Sequence, residues 1–96
     1  MDLFAEIERS FPYLEKLLSK EKLKSFISCN RYDFSLYHFG LGTWIRNNLL
    51  YEKSRLYKAF IKVNIVSLDD MSSVIIQLFY DYEKEKYKSL EKNSAL

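Results

Sequence analysis

Residues 33–50 read DFSLYHFGLGTWIRNNLL, and the fold follows from how that stretch is read. Phe34, Tyr37, Leu41, Trp44, Ile45 and Leu49 recur at three- and four-residue intervals, the spacing that places side chains on one face of an α-helix. Asp33 stands where a side-chain oxygen can accept the first free amides, so the pattern predicts a helix over about 33–50 with Asp33 as its N-cap. The same stretch holds both glycines, the single Trp and the single His of the chain. Each glycine costs a helix interior about 1 kcal/mol relative to Ala, so Gly40 and Gly42 imply either a close approach of another helix or a helix break.

Outward from this centre the chain stays helical. Leu3, Phe4, Ile7, Phe11, Leu14, Leu17 and Leu18 repeat at helical spacing, and Ser10 followed by Pro12 predicts a break or kink near residues 9–11. A short helix carrying Leu23, Phe26 and Ile27 begins at Ser19 or Lys20. After the connection Tyr51-Glu52-Lys53, Ser54 caps a helix bearing Leu56, Phe60 and Val63, and Asn64 suits the left-handed position that ends it. Ser67 with Asp70 three residues later forms a capping-box-like start for the longest helix, about 68–89, where Asp69 and Asp70 also complement the helix dipole. Its apolar face is read as Leu68, Met71, Ile75, Leu78, Phe79 and Tyr82. No run alternates in the manner of a strand flanked by hairpin turns. The expectation is an all-α single domain of about five helices over residues 1–90, the central helix packed on the long C-terminal one, with 91–96 as a frayed tail.

Ninety-six residues suffice for one core, and 48% apolar with 29% charged residues is a globular balance. The net charge of +2, from 15 basic and 13 acidic residues, argues against nucleic-acid binding, which calls for a single-sign face. One cysteine, Cys29, forms no internal disulfide and suits a reducing compartment. No apolar run reaches the roughly 20 residues that cross a bilayer, and acids at Asp2, Glu6 and Glu8 interrupt any leader-like start, so the expected setting is soluble and cytoplasmic.

Few residues offer chemistry. His38, Trp44, Arg46, Asn47 and Asn48 cluster on the central helix, with Arg46 expected to pair with Asp69 or Asp70 as a clamp between two helices. Were Arg46 a buried charge partner, its loss would cost about 2–4 kcal/mol. The structural reading is that this polar set locks the fold, the two Asn serving loop carbonyls beyond residue 50; the functional one is contact with a partner. Asp69, Asp70, Asp81, Glu83 and Glu85 are read as a possible acidic patch. Arg31 and His38 show the spacing of an Arg/His pair in small helical ribonucleases, but Asp33 between them separates the two. One His and one Cys are too few for a metal site, and Gly40-Leu41-Gly42 is too short for a phosphate cradle, so neither metal nor cofactor is expected.

The run from His38 through Asn48, matching His-x-Gly-x-Gly-x-x-Ile-Arg-Asn-Asn, and the later Asp69-Asp70-Met71-Ser72-Ser73-Val74-Ile75, matching Asp-Asp-Met-Ser-x-x-Ile, resemble an uncharacterised family of small bacterial helical domains. The likeness spans roughly residues 34–82. It departs at Asn48-Leu49-Leu50-Tyr51, where the family carries a Trp-Gly-Leu-Trp-like segment, so no family role is carried onto 48–51. The resemblance implies a helical, non-enzymatic module. Small, aromatic-rich proteins of this kind suggest by analogy an immunity protein that binds and neutralises a cognate toxin domain, such as that of a contact-dependent growth inhibition system. A small ribonuclease using Arg31 and His38, or a structural helical dimer, are the alternatives.

Overall fold

The computed structural model describes residues 2–28 and 34–94, with side chains for 2–28 and 39–89. Among the described residues five helices follow one another: α1 (Leu3–Leu17), α2 (Lys20–Ser28), α3 (Phe34–Asn48), α4 (Arg55–Lys62) and α5 (Leu68–Ser94). The all-α expectation holds, and α3 packs along α5 as the sequence implied. Helix α5 also supports α1 and α2, while α4 rests on α1. Asp33, the expected cap of α3, lies outside the described residues.

Local chemistry sets most boundaries. The Asp2 carboxylate accepts the Phe4 amide at 3.1 Å and opens α1. Ser19 accepts the Lys22 amide at 3.2 Å, Ser54 the Tyr57 amide at 3.0 Å, and Ser67 the Asp70 amide at 3.4 Å, so three serines start α2, α4 and α5. Asn64, with φ of 66°, closes the turn after α4 in the left-handed conformation.

Three expectations are corrected. Of the break or kink expected near residues 9–11, the break does not occur: α1 runs as one helix through Pro12. Proline cannot donate to the carbonyl four residues back, but Glu8 and Pro12 are both exposed, so the missing bond falls on the solvent side of the helix, where it costs least. On the buried side, the Ser10 hydroxyl donates to the Ile7 carbonyl at 2.5 Å. Second, α5 extends to Ser94, past the expected end near 89. Third, the buried stripe of α5 is Met71, Ile75, Ile76, Phe79 and Tyr80, not one through Leu68 and Tyr82, which are both substantially exposed. Two apolar stripes run side by side on this helix, and α3 and α2 cover only one.

The core joins Ile7, Phe11 and Leu14 of α1, Phe26 of α2, Ile45 of α3, Phe60 of α4 and the α5 stripe. At its centre Phe79 lies 5.4 Å from the Phe11 ring and 5.6 Å from the Phe26 ring, while Tyr80 meets Phe26 edge-on at 5.5 Å.

Both glycines sit inside α3, so a helix break is not their purpose. A Cβ at Gly42 would lie 3.1 Å from Nη1 of Arg46, on its own helix, and at ordinary contact distance, 3.7 Å, from Ile76 Cδ1 of α5, so what crowds this position is the Arg46 side chain more than a neighbouring helix. Nothing lies within 4 Å of a Cβ at Gly40. Gly40→Ala is therefore expected to stabilise the protein by about 0.5–1 kcal/mol in a denaturant titration, because it lowers unfolded-state freedom without a clash. A destabilised variant would show that Gly40 meets a group at this exposed face.

Candidate functional site

Helix α1 brings Glu6, Arg9, Ser10 and Tyr13 onto one face, since residues three, four and seven apart align along a helix. Opposite stand Trp44 and Asn48 from the last two turns of α3, and Tyr51 from the connection to α4. Together they line a hollow of about 440 Å³ between α1, α3 and the start of α4. Trp44 is half-buried against the core, whereas Tyr13 and Tyr51 remain 61% and 57% exposed. An open depression walled by two Tyr and a Trp, with Arg at its rim, has the composition that dominates protein interfaces.

The floor of this hollow is electrostatically tied. Glu6 is buried, and its Oε1 takes Arg9 Nη1 at 3.1 Å and Arg55 Nη2 at 3.2 Å. Two guanidinium groups thus converge on one carboxylate oxygen and join α1 to α4. The Asn48 amide donates to the Trp44 carbonyl at 2.9 Å, which closes the end of α3 beneath the indole. This corrects the expectation that the Asn pair serves carbonyls beyond residue 50: Asn48 bonds within its own helix, and Asn47 is exposed.

Arg46 makes the interhelical clamp expected of it, with Nη1 3.5 Å from Asp69 Oδ1 and 3.1 Å from Ser72 Oγ, and Nη2 3.1 Å from Thr43 Oγ1. The clamp is less buried than the sequence allowed, because the Arg46 side chain is 25% exposed and that of Asp69 87% exposed. Solvent screens such a pair, and Ser72 keeps its own donation to the Asp69 carbonyl at 3.0 Å. Arg46→Ala is accordingly expected to cost about 1 kcal/mol in chemical denaturation. A loss above about 3 kcal/mol would mean that the pair behaves as buried charge.

The supposed acidic patch divides into separate places. Asp69 and Asp70 occupy the first turn of α5, and Asp81 sits eleven residues later, about 16 Å along the axis. Asp81 is exposed and accepts from Gln77 Nε2 at 3.2 Å. Glu83 is no surface acid: it is only 4% exposed and faces Glu15 of α1, whose Oε2 holds Lys86 Nζ at 2.7 Å. Burial, followed by the hydrogen bond and charge of Glu15, pushes the Glu83 carboxyl up to about 7. Burial also works to raise Glu15, but the hydrogen bonds from Lys86 and Glu83 outweigh it and hold that carboxyl below its ordinary value. The bond to Glu15 in turn raises the Lys86 ammonium against its desolvation.

Arg31 and Cys29 lie outside the described residues, as does the side chain of His38, so the Arg31/His38 pairing has no geometry to report. Among the described residues, no helix is long and apolar enough to cross a membrane, and no group of three or more His, Cys, Asp and Glu is arranged to hold a metal ion. Of the residues singled out in the sequence, Trp44 and Asn48 enter the hollow, and Arg46 joins Asp69 on the neighbouring face. Glu6, Arg9, Tyr13 and Tyr51 were not foreseen; the spacing of Glu6, Ser10 and Tyr13 on one helical face was the available signal, hidden among ordinary surface polar residues.

No curated protein and no solved structure matches this chain at a significant level. A family described as a domain of unknown function (DUF6794) matches residues 5–93, a span that reaches from the first turn of α1 to the last turn of α5 and takes in the hollow and the Arg46 clamp, and the chain belongs to that family.

Proposed function

We propose that this protein is a non-enzymatic protein-binding module, with the hollow between α1, α3 and α4 as the pocket that receives an anchoring side chain of the partner. The observation that carries this reading is the pairing of a half-buried Trp44 with the exposed rings of Tyr13 and Tyr51 above the Glu6–Arg9–Arg55 tie. Tyr and Trp give large contact areas with few rotors to order, and arginines already held by a carboxylate lose little freedom on binding. The partner class we assign is a bacterial toxin domain that the module neutralises, by analogy with small helical immunity proteins.

The test is co-purification of the tagged protein with the product of a neighbouring toxin gene, combined with growth rescue on co-expression. A one-to-one complex with rescue is expected. Tyr13→Ala and Tyr51→Ala, both exposed in the free protein, are each expected to leave folding intact and weaken binding by about tenfold or more. Absence of any saturable complex sinks the reading. A complex indifferent to both substitutions removes the hollow from it.

A further inference from the structure

A second surface lies between α1 and α5. Phe4, Glu8 and Phe11 follow one another at helical spacing along α1, and Leu78, Asp81, Tyr82 and Glu85 do the same along α5; together they enclose a groove of about 590 Å³. Its floor is aromatic, since buried Phe11 packs against the Tyr82 ring at 4.9 Å, and its walls are the half-exposed Phe4 and Tyr82. Its rim is acidic. Glu8, Asp81 and Glu85 stand against one cation, Lys86, whose ammonium is drawn to Glu15 at 2.7 Å. The chain as a whole carries +2, so this groove is a local reversal of the protein's charge. From Leu78 to Ser89 the α5 wall runs about 16 Å, three turns of helix.

We propose that this groove docks a basic amphipathic helical segment of a partner protein, its apolar face lying on Phe4, Phe11, Leu78 and Tyr82 and its lysines and arginines meeting Glu8, Asp81 and Glu85. An apolar trough flanked by one sign of charge is the complement of a helix with anchors at i, i+3/i+4 and i+7 and cations on either side. The acidic rim repels nucleic acid and anionic lipid, which leaves protein as the matching class. The inference rests on the reading of the chain as a protein-binding module, but it uses a surface separate from the Trp44 hollow.

The experiment titrates the full chain into a fluorescently labelled amphipathic peptide of about five helical turns, with Leu and Phe on one face and Lys and Arg on the other. A control peptide keeps the apolar face and carries Glu in place of the cations. Saturable one-to-one binding of the basic peptide alone is expected, weakening as salt rises. Asp81→Lys and Glu85→Lys, at exposed positions and checked for helicity, are expected to lower that affinity at least about fivefold each, while the same reversal at Glu52 does not. Equal binding of the acidic peptide, no binding of the basic one, or indifference to both groove reversals overturns the proposal. So does sedimentation as a dimer that Asp81→Lys dissociates, which assigns the groove to a second copy of the chain. Because the Tyr13 and Tyr51 variants report on the hollow and the charge reversals on the groove, either reading can fail without the other.

Discussion

Phe79→Ala is expected to remove about 3–5 kcal/mol of stability, a large part of the roughly 5–15 kcal/mol available to a domain of this size. Phe79 is fully buried, and its ring is shared between Phe11 of α1 at 5.4 Å and Phe26 of α2 at 5.6 Å. Truncation would lose the transfer free energy of the ring and leave a cavity whose walls come from three helices. Those walls belong to different stretches of chain, so they cannot collapse by one local shift. A urea titration should show the midpoint falling with little change in slope, because the same surface is exposed on unfolding. A loss below about 1 kcal/mol would mean that α1 and α2 do not meet on α5 as described.

The second large effect concerns pH. Glu83 is held with its carboxyl up to about 7 in the folded protein, against 4.5 for an ordinary glutamate. Between those values the folded chain keeps a proton that the unfolded chain has released, so stability falls as pH rises through this window. The contribution is fully present below about 4.5 and lost above about 7. Glu15 acts in the opposite sense and in a lower window: its carboxyl is held below the ordinary value, so its contribution is present above 4.5 and lost as pH falls through its folded value. The cluster faces Lys86 on α5, whose charge works against the rise at Glu83, and it borders a cavity also lined by Lys20 and Lys24 of α2. The expected decline between pH 5 and pH 8 is about 1–3 kcal/mol. Glu83→Gln should abolish it, since the amide reproduces the neutral carboxyl at every pH, and should leave the variant more stable than the natural protein at pH 8. Thermal midpoints across that range check both statements. A flat profile for the natural protein would mean that Glu83 is ionised in the fold at neutral pH.

The helices were legible because their ends are written in single residues with local consequences. Ser54, Asn64 and Ser67 each act on amides or dihedrals within three positions, so the connection between α4 and α5 could be read directly. Pro12 misled for the complementary reason. A proline's effect depends on whether water can reach the carbonyl it abandons, and that is a property of the packed molecule. Charge and helix geometry matched Arg46 to Asp69 or Asp70, and the structure selects Asp69; the exposure of the pair was not readable, and exposure separates a weak pair from a strong one.

By itself, the sequence determined that the chain is all-α, where most of its helices begin and end, and that α3 lies along α5; it left open whether Gly40 and Gly42 sit within a helix or at a break. These follow from apolar period and caps, which act over a few residues. Only the tertiary structure decided which of two neighbouring apolar stripes each helix buries. That choice made Tyr82 and Phe4 a groove instead of a core, and turned Glu83 inward to face Glu15. It also brought Tyr13 beside Trp44 and Tyr51, and Glu6 beside Arg55, from positions far apart in the chain. Side chains from three helices meet there through the packing of whole elements, and no local pattern of residues encodes that meeting.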